Sequence, residues 1–271
     1  MPLKLDPETG RRWVDMEFVA TATREELWRV LATGPGYTAW FTRCEIDGRV
    51  GGRLQFDFGA NGSSSGEVTI WEPPLRFGYV EREWAEGAPP VETEITITAR
   101  GNGQHLVRMT HSLTAAYDDW DASLEGFEAG WPAFFEVLRL YLAHSAGEPA
   151  AFASVMHQTQ GEQAPLWRAL LDGLQIAHAD VGEHAELPFA APEGLVEFVR
   201  QDMRQRYLLV RTPVPDPQIV LLGTFSQAGT TNASVAHYCY GRDAQAAAAS
   251  AQRHWQEWFA RRFPTSDGRA Q

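Results

Sequence analysis

Two polar side chains fall on strand faces that are otherwise apolar, and chemistry would start with them. In "HLVRMTHSL", residues 105–113, Val107, Met109, His111 and Leu113 alternate, so His111 shares a face with apolar neighbours. In "LRFGYVEREW", residues 75–84, Glu81 has the parity of Phe77 and Tyr79. An imidazole and a carboxylate turned toward one interior could orient a ligand's hydroxyl, or act as acid and base on an enolisable carbonyl. The alternative for each is an exposed side chain or one satisfied by a local partner.

Other groupings fall short of a site. His105 and His111 share a strand face, but six residues at roughly 3.3 Å each put them about 20 Å apart, too far to share a metal. His178 and His184 flank a loop with Asp180 and Glu183, a cluster not read as a metal site. "GANGSSSGE" contains neither a Walker pattern nor G-x-S-x-G, so its serines read as a hairpin loop. "DDWD", Asp118 to Asp121, reads as acidic residues ahead of a helix N-terminus. Cys44 and Cys239 lie in different halves with no C-x-x-C nearby, and are expected as free buried thiols. No catalytic triad, metal or cofactor is expected.

The elements that must place His111 and Glu81 follow from changes of hydrophobic period. "WVDMEFVAT" reads as a strand with Val14, Met16 and Phe18 on one face. "TREELWRVLAT" reads as a short helix with Thr23 as N-cap and Glu26 closing a capping box. After the turn "GPGYTAWF", about sixty residues read as an antiparallel meander: "GGRLQFDF", "EVTIWE", "LRFGYVEREW", "TEITITAR" and "HLVRMTHSLT". "EGFEAGWPAFFEVLRLYL", Glu125 to Leu142, then repeats apolar residues at 127, 131, 134, 135, 138 and 142, a helical period.

The chain has 271 residues, 44% of them hydrophobic, with ten Trp and fourteen Phe, which suits two domains that each bury a core. Residues 1–150 hold 23 acidic and 13 basic side chains, a net of −10, and the remainder brings the total to −12. Nucleic acid and anionic membrane surfaces are therefore poor partners. With no leader-like segment and no long apolar run, a cytoplasmic protein without membrane insertion is expected.

The second half echoes the first in order. "LWRVL" at 27–31 returns as "LWRAL" at 166–170, His111 aligns with His237, and Trp131, Phe134 and Phe135 align with Trp255, Trp258 and Phe259. The offset shrinks from 139 to 126 to 124, as for a copy that lost roughly fifteen residues, mostly between its first helix and its sheet.

This succession of strand, "LWRVL…AWF", "GGRLQFDF", "EVTIWEPPLRFGYVEREW", "LVRMTHSL" and "GW…FFEVLRLYL" resembles the SRPBCC, or START/birch-pollen-allergen-like, superfamily. Within it, the pattern resembles the branch named after the activator of the ninety-kilodalton heat-shock chaperone's ATPase. The resemblance implies an α+β helix-grip fold: a curved antiparallel sheet wrapped around a long C-terminal helix, with two short helices closing one end. Members bind lipids, sterols, polyketides or plant hormones, and some cyclise or hydrolyse polyketide-like substrates. The fold alone does not choose among these.

The expected layout is a helix-grip domain at 12–145, a linker at 146–160 in which "FASVMHQ" is alternatively a short strand or helix beginning the second unit, a second, degenerate helix-grip-like domain at 161–264 and a disordered tail at 265–271. Phe56, Tyr79, Met109, His111, Phe127, Trp131 and Phe135, with Trp40 near the mouth, are expected to meet a ligand; the alternative is a solid core. The function expected is non-covalent binding of a small apolar or amphipathic molecule. One alternative is a cyclase- or hydrolase-like enzyme using His111 and Glu81, and another is a chaperone-cofactor-like adaptor. The second unit is expected to pack on the first or meet a protein partner.

Overall fold

The computed structural model describes residues 3–59, 62–84, 86–115, 120–188, 194–202, 205–213, 217–227 and 229–264. The chain divides into two compact units, Met1–Ala146 and Gly147–Gln271.

In the first unit the strands are β1 (Lys4–Asp6), β2 (Arg11–Thr21), β3 (Arg43–Ile46), β4 (Arg53–Asp57), β5 (Ser63–Glu72), β6 (Arg76–Glu81), β7 (Val91–Gly101) and β8 (Gln104–Thr114). They form one antiparallel sheet in the order β1-β2-β8-β7-β6-β5-β4-β3. Helices α1 (Arg24–Ala32) and α2 (Gly34–Thr38) follow β2, and the long helix α3 (Asp121–His144) follows β8. This is the α+β helix-grip arrangement that the family resemblance implies.

Local chemistry sets the helix ends. The Thr23 N–H donates to the Glu26 carboxylate at 2.8 Å, and the Glu26 N–H returns a bond to Thr23 Oγ1 at 3.2 Å, closing the expected capping box. Leu27, Val30 and Leu31 are buried beneath it. "GPGYTAWF" is more than a turn: its first five residues form α2, capped by the Thr33 hydroxyl, which accepts from the Gly36 N–H. A β-carbon at Gly36 would sit 2.0 Å from the Arg29 carbonyl oxygen, so only glycine lets α2 approach α1 this closely. At the start of α3, Arg12 Nη1 on β2 donates to both carboxylate oxygens of Asp121, at 2.9 and 2.7 Å, tying the helix to the sheet. Asp118 and Asp119 of "DDWD" lie outside the described residues.

The second unit contains β9 (Ala150–Thr159), α4 (Gln163–Leu174), β10 (His184–Ala185), β11 (Gly194–Gln201), β12 (Arg206–Thr212), β13 (Gln218–Gln227), β14 (Thr230–Tyr240) and α5 (Ala244–Arg262). Its sheet runs β10-β11-β12-β13-β14-β9, all antiparallel. Ala151 and Ala153 of β9 are buried in one cluster with Ala244, Ala248, Ala251 and Trp255 of α5.

That packing corrects the expected linker at 146–160. Residues 150–159 form β9, registered along its whole length with β14. Small residues that read as a linker are the ones that let a helix lie close on a strand. The expected tail, 265–271, lies outside the described residues. Among the described residues no helix is long and apolar enough to cross a membrane.

Candidate functional site

Register brings the inward-facing residues of the first sheet into rows. Val14, His111, Thr93, Tyr79 and Val68 lie side by side across β2, β8, β7, β6 and β5. One step along, Val91, Glu81, Gly66 and Leu54 make the next row. Both chemical candidates therefore face the interior between the sheet and α3, as strand parity predicts.

They do not act together. The Trp131 indole N–H of α3 donates to His111 Nε2 at 2.6 Å. An indole only donates, so the imidazole proton is on Nδ1, which gives it to Thr93 Oγ1 at 2.8 Å. Both ring nitrogens are thus engaged, and burial lowers the His111 pKa to about 3. This histidine is a neutral pin between β8, β7 and the grip helix, and it offers no free nitrogen as an acid or base.

Glu81 has a different environment. Burial raises its carboxyl pKa, opposed by a hydrogen bond that the Ser64 hydroxyl donates to Oε1. The stem crosses Gly66, where an added β-carbon would lie 3.3 Å from Glu81 Cγ and 2.9 Å from the Val80 carbonyl. Three weak acids feel the Glu81 charge: the Tyr37 and Tyr79 phenols and the Cys44 thiol, each with its pKa raised first by burial. The Tyr37 ring is fully buried, and its hydroxyl has no well-formed hydrogen bond. It lies beside the Tyr79 hydroxyl, close enough for the two phenols to shift each other's pKa by a weak, poorly aligned hydrogen bond.

The remaining expected contacts form a continuous aromatic wall. Trp131 stacks on Phe135 with ring centroids 5.7 Å apart and meets Phe41 at 4.6 Å. Phe56 touches Tyr37 at 5.2 Å and Tyr79 at 5.8 Å, and Met109 is fully buried. Trp40 does not lie at a mouth: it is fully buried, and its indole donates to the Val30 carbonyl at 2.8 Å, which fixes it beneath α1. The side chain of Phe127 lies outside the described residues.

Sequence reasoning missed Tyr37, Cys44, Ser64 and Thr93. Thr93 has a readable signal, since it stands in step with Ile95 and Ile97 on "TEITITAR". Tyr37 has none, because a Gly-Pro-Gly run hides the helix that turns it inward.

The second unit contains a matching pin. The Trp255 indole of α5 donates to His237 Nδ1 at 3.1 Å, and His237 Nε2 gives its proton to Gln218 Oε1 at 2.8 Å. Burial lowers the His237 pKa to about 4. A depression of about 380 Å³, open to solvent, lies at the start of α5 between Gln218, Tyr240, Arg242 and Ala247.

Residues 21–143 match the model of the family described as Activator of Hsp90 ATPase homolog 1-like protein. No curated protein matches the chain. Among solved structures, CalU16 from Micromonospora echinospora is 21% identical over 52% of this chain and 83% of its own, with a TM-score of 0.43. The MLL2253 protein of Mesorhizobium loti is 26% identical over 49% of this chain and 97% of its own, with a TM-score of 0.44. DynU16, from the dynemicin biosynthetic locus, is 22% identical over 92% of this chain and 95% of its own, with a TM-score of 0.43.

Proposed function

We propose that the first unit, which over residues 21–143 belongs to the family of Activator of Hsp90 ATPase homolog 1-like proteins, binds a small apolar or amphipathic molecule between its sheet and α3 without covalent chemistry. One observation carries this reading: an interior walled by aromatic rings also holds a half-buried carboxyl, Glu81, whose pKa burial raises, and a buried phenol hydroxyl, Tyr37, that is only weakly engaged by Tyr79. Desolvating such polar groups costs stability, so a solid core gains nothing by keeping them. A binding site gains, because they fix a ligand's orientation.

A panel of sterols, fatty alcohols, fatty acids and flat polycyclic aromatics tests it, by thermal shift and by native mass spectrometry of gently purified protein. Raised melting temperatures and a retained ligand mass are expected. No shift and no retained mass across the panel would sink the proposal.

Acid–base catalysis by His111 with Glu81 is disfavoured, since Trp131 and Thr93 occupy both imidazole nitrogens. An adaptor role rests on the family's description alone. A pull-down that recovers a chaperone of that class would raise it.

We also propose that the second unit is a reduced copy of the first. Its strand order repeats β2-β8-β7-β6-β5-β4, and its buried His237–Trp255 bond falls where the aligned sequence puts His111–Trp131. An experimental structure with a different strand order in this unit, or with that pair separated, would overturn the proposal.

A further inference from the structure

We infer that the Gln252 side chain stands in for a missing strand on the outer edge of β9, and that it keeps this edge from pairing with the β9 segment of a second, incompletely folded copy of the chain.

Sheet edges are templates for strand addition unless something blunts them, because their outward N–H and C=O groups have no ladder partner. Three of the four edge strands are blunted by length: β1 has three residues, β3 four and β10 two. β9 has ten, "AAFASVMHQT", with no proline, acidic residue, lysine or arginine, and its register with β14 runs without a bulge. Length, neutrality and regular pairing make it the edge most open to another chain. In the first unit β2 holds the corresponding place, pairing with the unit's last strand and preceding a helix, and its far side is covered. There β1 lies on Arg11–Trp13, and Lys4 reaches Asp15 at 2.6 Å. Among the described residues no strand lies on the far side of β9.

Gln252 of α5 fills part of that gap. Its amide oxygen accepts from the Ser154 N–H at 2.9 Å, and its amide N–H donates to the Ser154 carbonyl at 2.8 Å. Both backbone groups of Ser154 therefore point away from β14, as at a non-hydrogen-bonded site of an antiparallel pair, where Ser154 stands opposite Ala236. A primary amide offers the donor and the acceptor that a neighbouring strand would offer, so one side chain answers both groups. Packing makes the reach possible: Ala151 and Ala153 of β9 and Ala248 and Ala251 of α5 share one buried cluster, which holds the helix close over the strand.

The same geometry names the excluded partner. Alternation turns Met156 and Gln158 outward with Ser154. An antiparallel copy of β9 centred on Ser154 would exchange both backbone bonds there and set Met156 against Phe152, so the edge is self-complementary by two-fold symmetry. Because α5 lies over β9, the copy that fits is a bare strand without its own helix. Such a strand exists in every chain whose last helix has not docked, since Gln252 follows Ser154 by 98 residues.

The probe is a labelled peptide of residues 150–159, flanked by lysines for solubility and followed by fluorescence anisotropy on the full chain. Gln252→Ala suits the alanine-rich α5 and leaves its buried stripe intact. It should bind the peptide at least about tenfold more tightly than the parent, which has to give up two hydrogen bonds to admit it. A peptide N-methylated at alternate residues along its pairing edge should lose that gain. In the free variant, exchange of the Ser154 amide hydrogen, read by NMR, should quicken about tenfold, and the peptide should restore its protection. Equal binding by parent and variant, no binding by the variant, equal binding of the N-methylated peptide, or an unchanged Ser154 amide would each overturn the assignment.

Discussion

A buried hydroxyl with only a weak partner loses its hydration and gains little in the ligand-free protein, so removing it should not harm the fold. Tyr37→Phe is accordingly expected to match the parent in urea denaturation or exceed it by up to about 1 kcal/mol. A loss of more than that would reveal a strong partner for the hydroxyl. For Glu81 the sign also follows from its environment. Its folded pKa is raised, so above the ordinary carboxyl range the unfolded chain ionises freely while the folded protein resists. Stability lost through Glu81 therefore grows as pH rises past about 4.5, and Glu81→Gln should be the more stable protein at pH 8, with the gap closing near pH 4. A denaturant series at both pH values checks this, and a constant gap would contradict it. Strand parity made the inward turn of Glu81 and His111 legible in the sequence. The partners that separate them were not legible, because they come from other strands and from a helix hidden in a Gly-Pro-Gly run.

Close approaches between elements set the geometry of the site. Gly36 brings α2 against the last turn of α1, and that contact carries Tyr37 and Trp40 into the interior. Gly36→Ala should cost at least about 2 kcal/mol in urea denaturation, since the new β-carbon meets a backbone carbonyl that cannot step aside. Helices α3 and α5 are each pinned by a tryptophan. Pro132 leaves α3 without one backbone N–H donor just past Trp131, so the indole bond to His111 steadies the helix where its own ladder is interrupted. Trp131→Phe keeps most of the ring but strands the imidazole nitrogen, and should lower stability by roughly 2 kcal/mol or more in urea denaturation. A loss under about 0.5 kcal/mol would show that ring packing alone holds α3. Helical period revealed α3 and α5 and the Thr23 capping box revealed α1, because those signals are local. The strand at 150–159 was only half legible for the opposite reason: "FASVMHQ" leaves strand and helix both open, and its alanines look like a spacer until α5, some ninety residues later, lies on them.

Across the molecule, each unit buries one neutral histidine under a tryptophan of its last helix, and burial lowers both pKa values, to about 3 for His111 and about 4 for His237. An unfolded histidine takes up a proton near pH 6.5, whereas the folded ones do not until far lower pH. Between those limits the unfolded state binds more protons, so stability falls as pH falls. The contribution is fully present above about pH 6.5 and is lost toward pH 4 in the second unit and pH 3 in the first, at up to about 1.4 kcal/mol per pH unit for each histidine. Glu81 has the opposite slope and acts in the first unit only, so acid should weaken the second unit at the higher pH. Urea midpoints at pH 7.5, 6.5, 5.5 and 4.5 should hold steady over the first step and then fall. His237→Asn should flatten the decline of the second unit's transition and leave the first unit's slope in place, and His111→Asn should do the reverse. Because the slope is read and not the absolute midpoint, a variant that is less stable throughout still answers the question. Midpoints that stay level from pH 7.5 to 4.5 would mean that the imidazoles protonate without leaving their tryptophans, and the pins would then be packing contacts with no charge dependence.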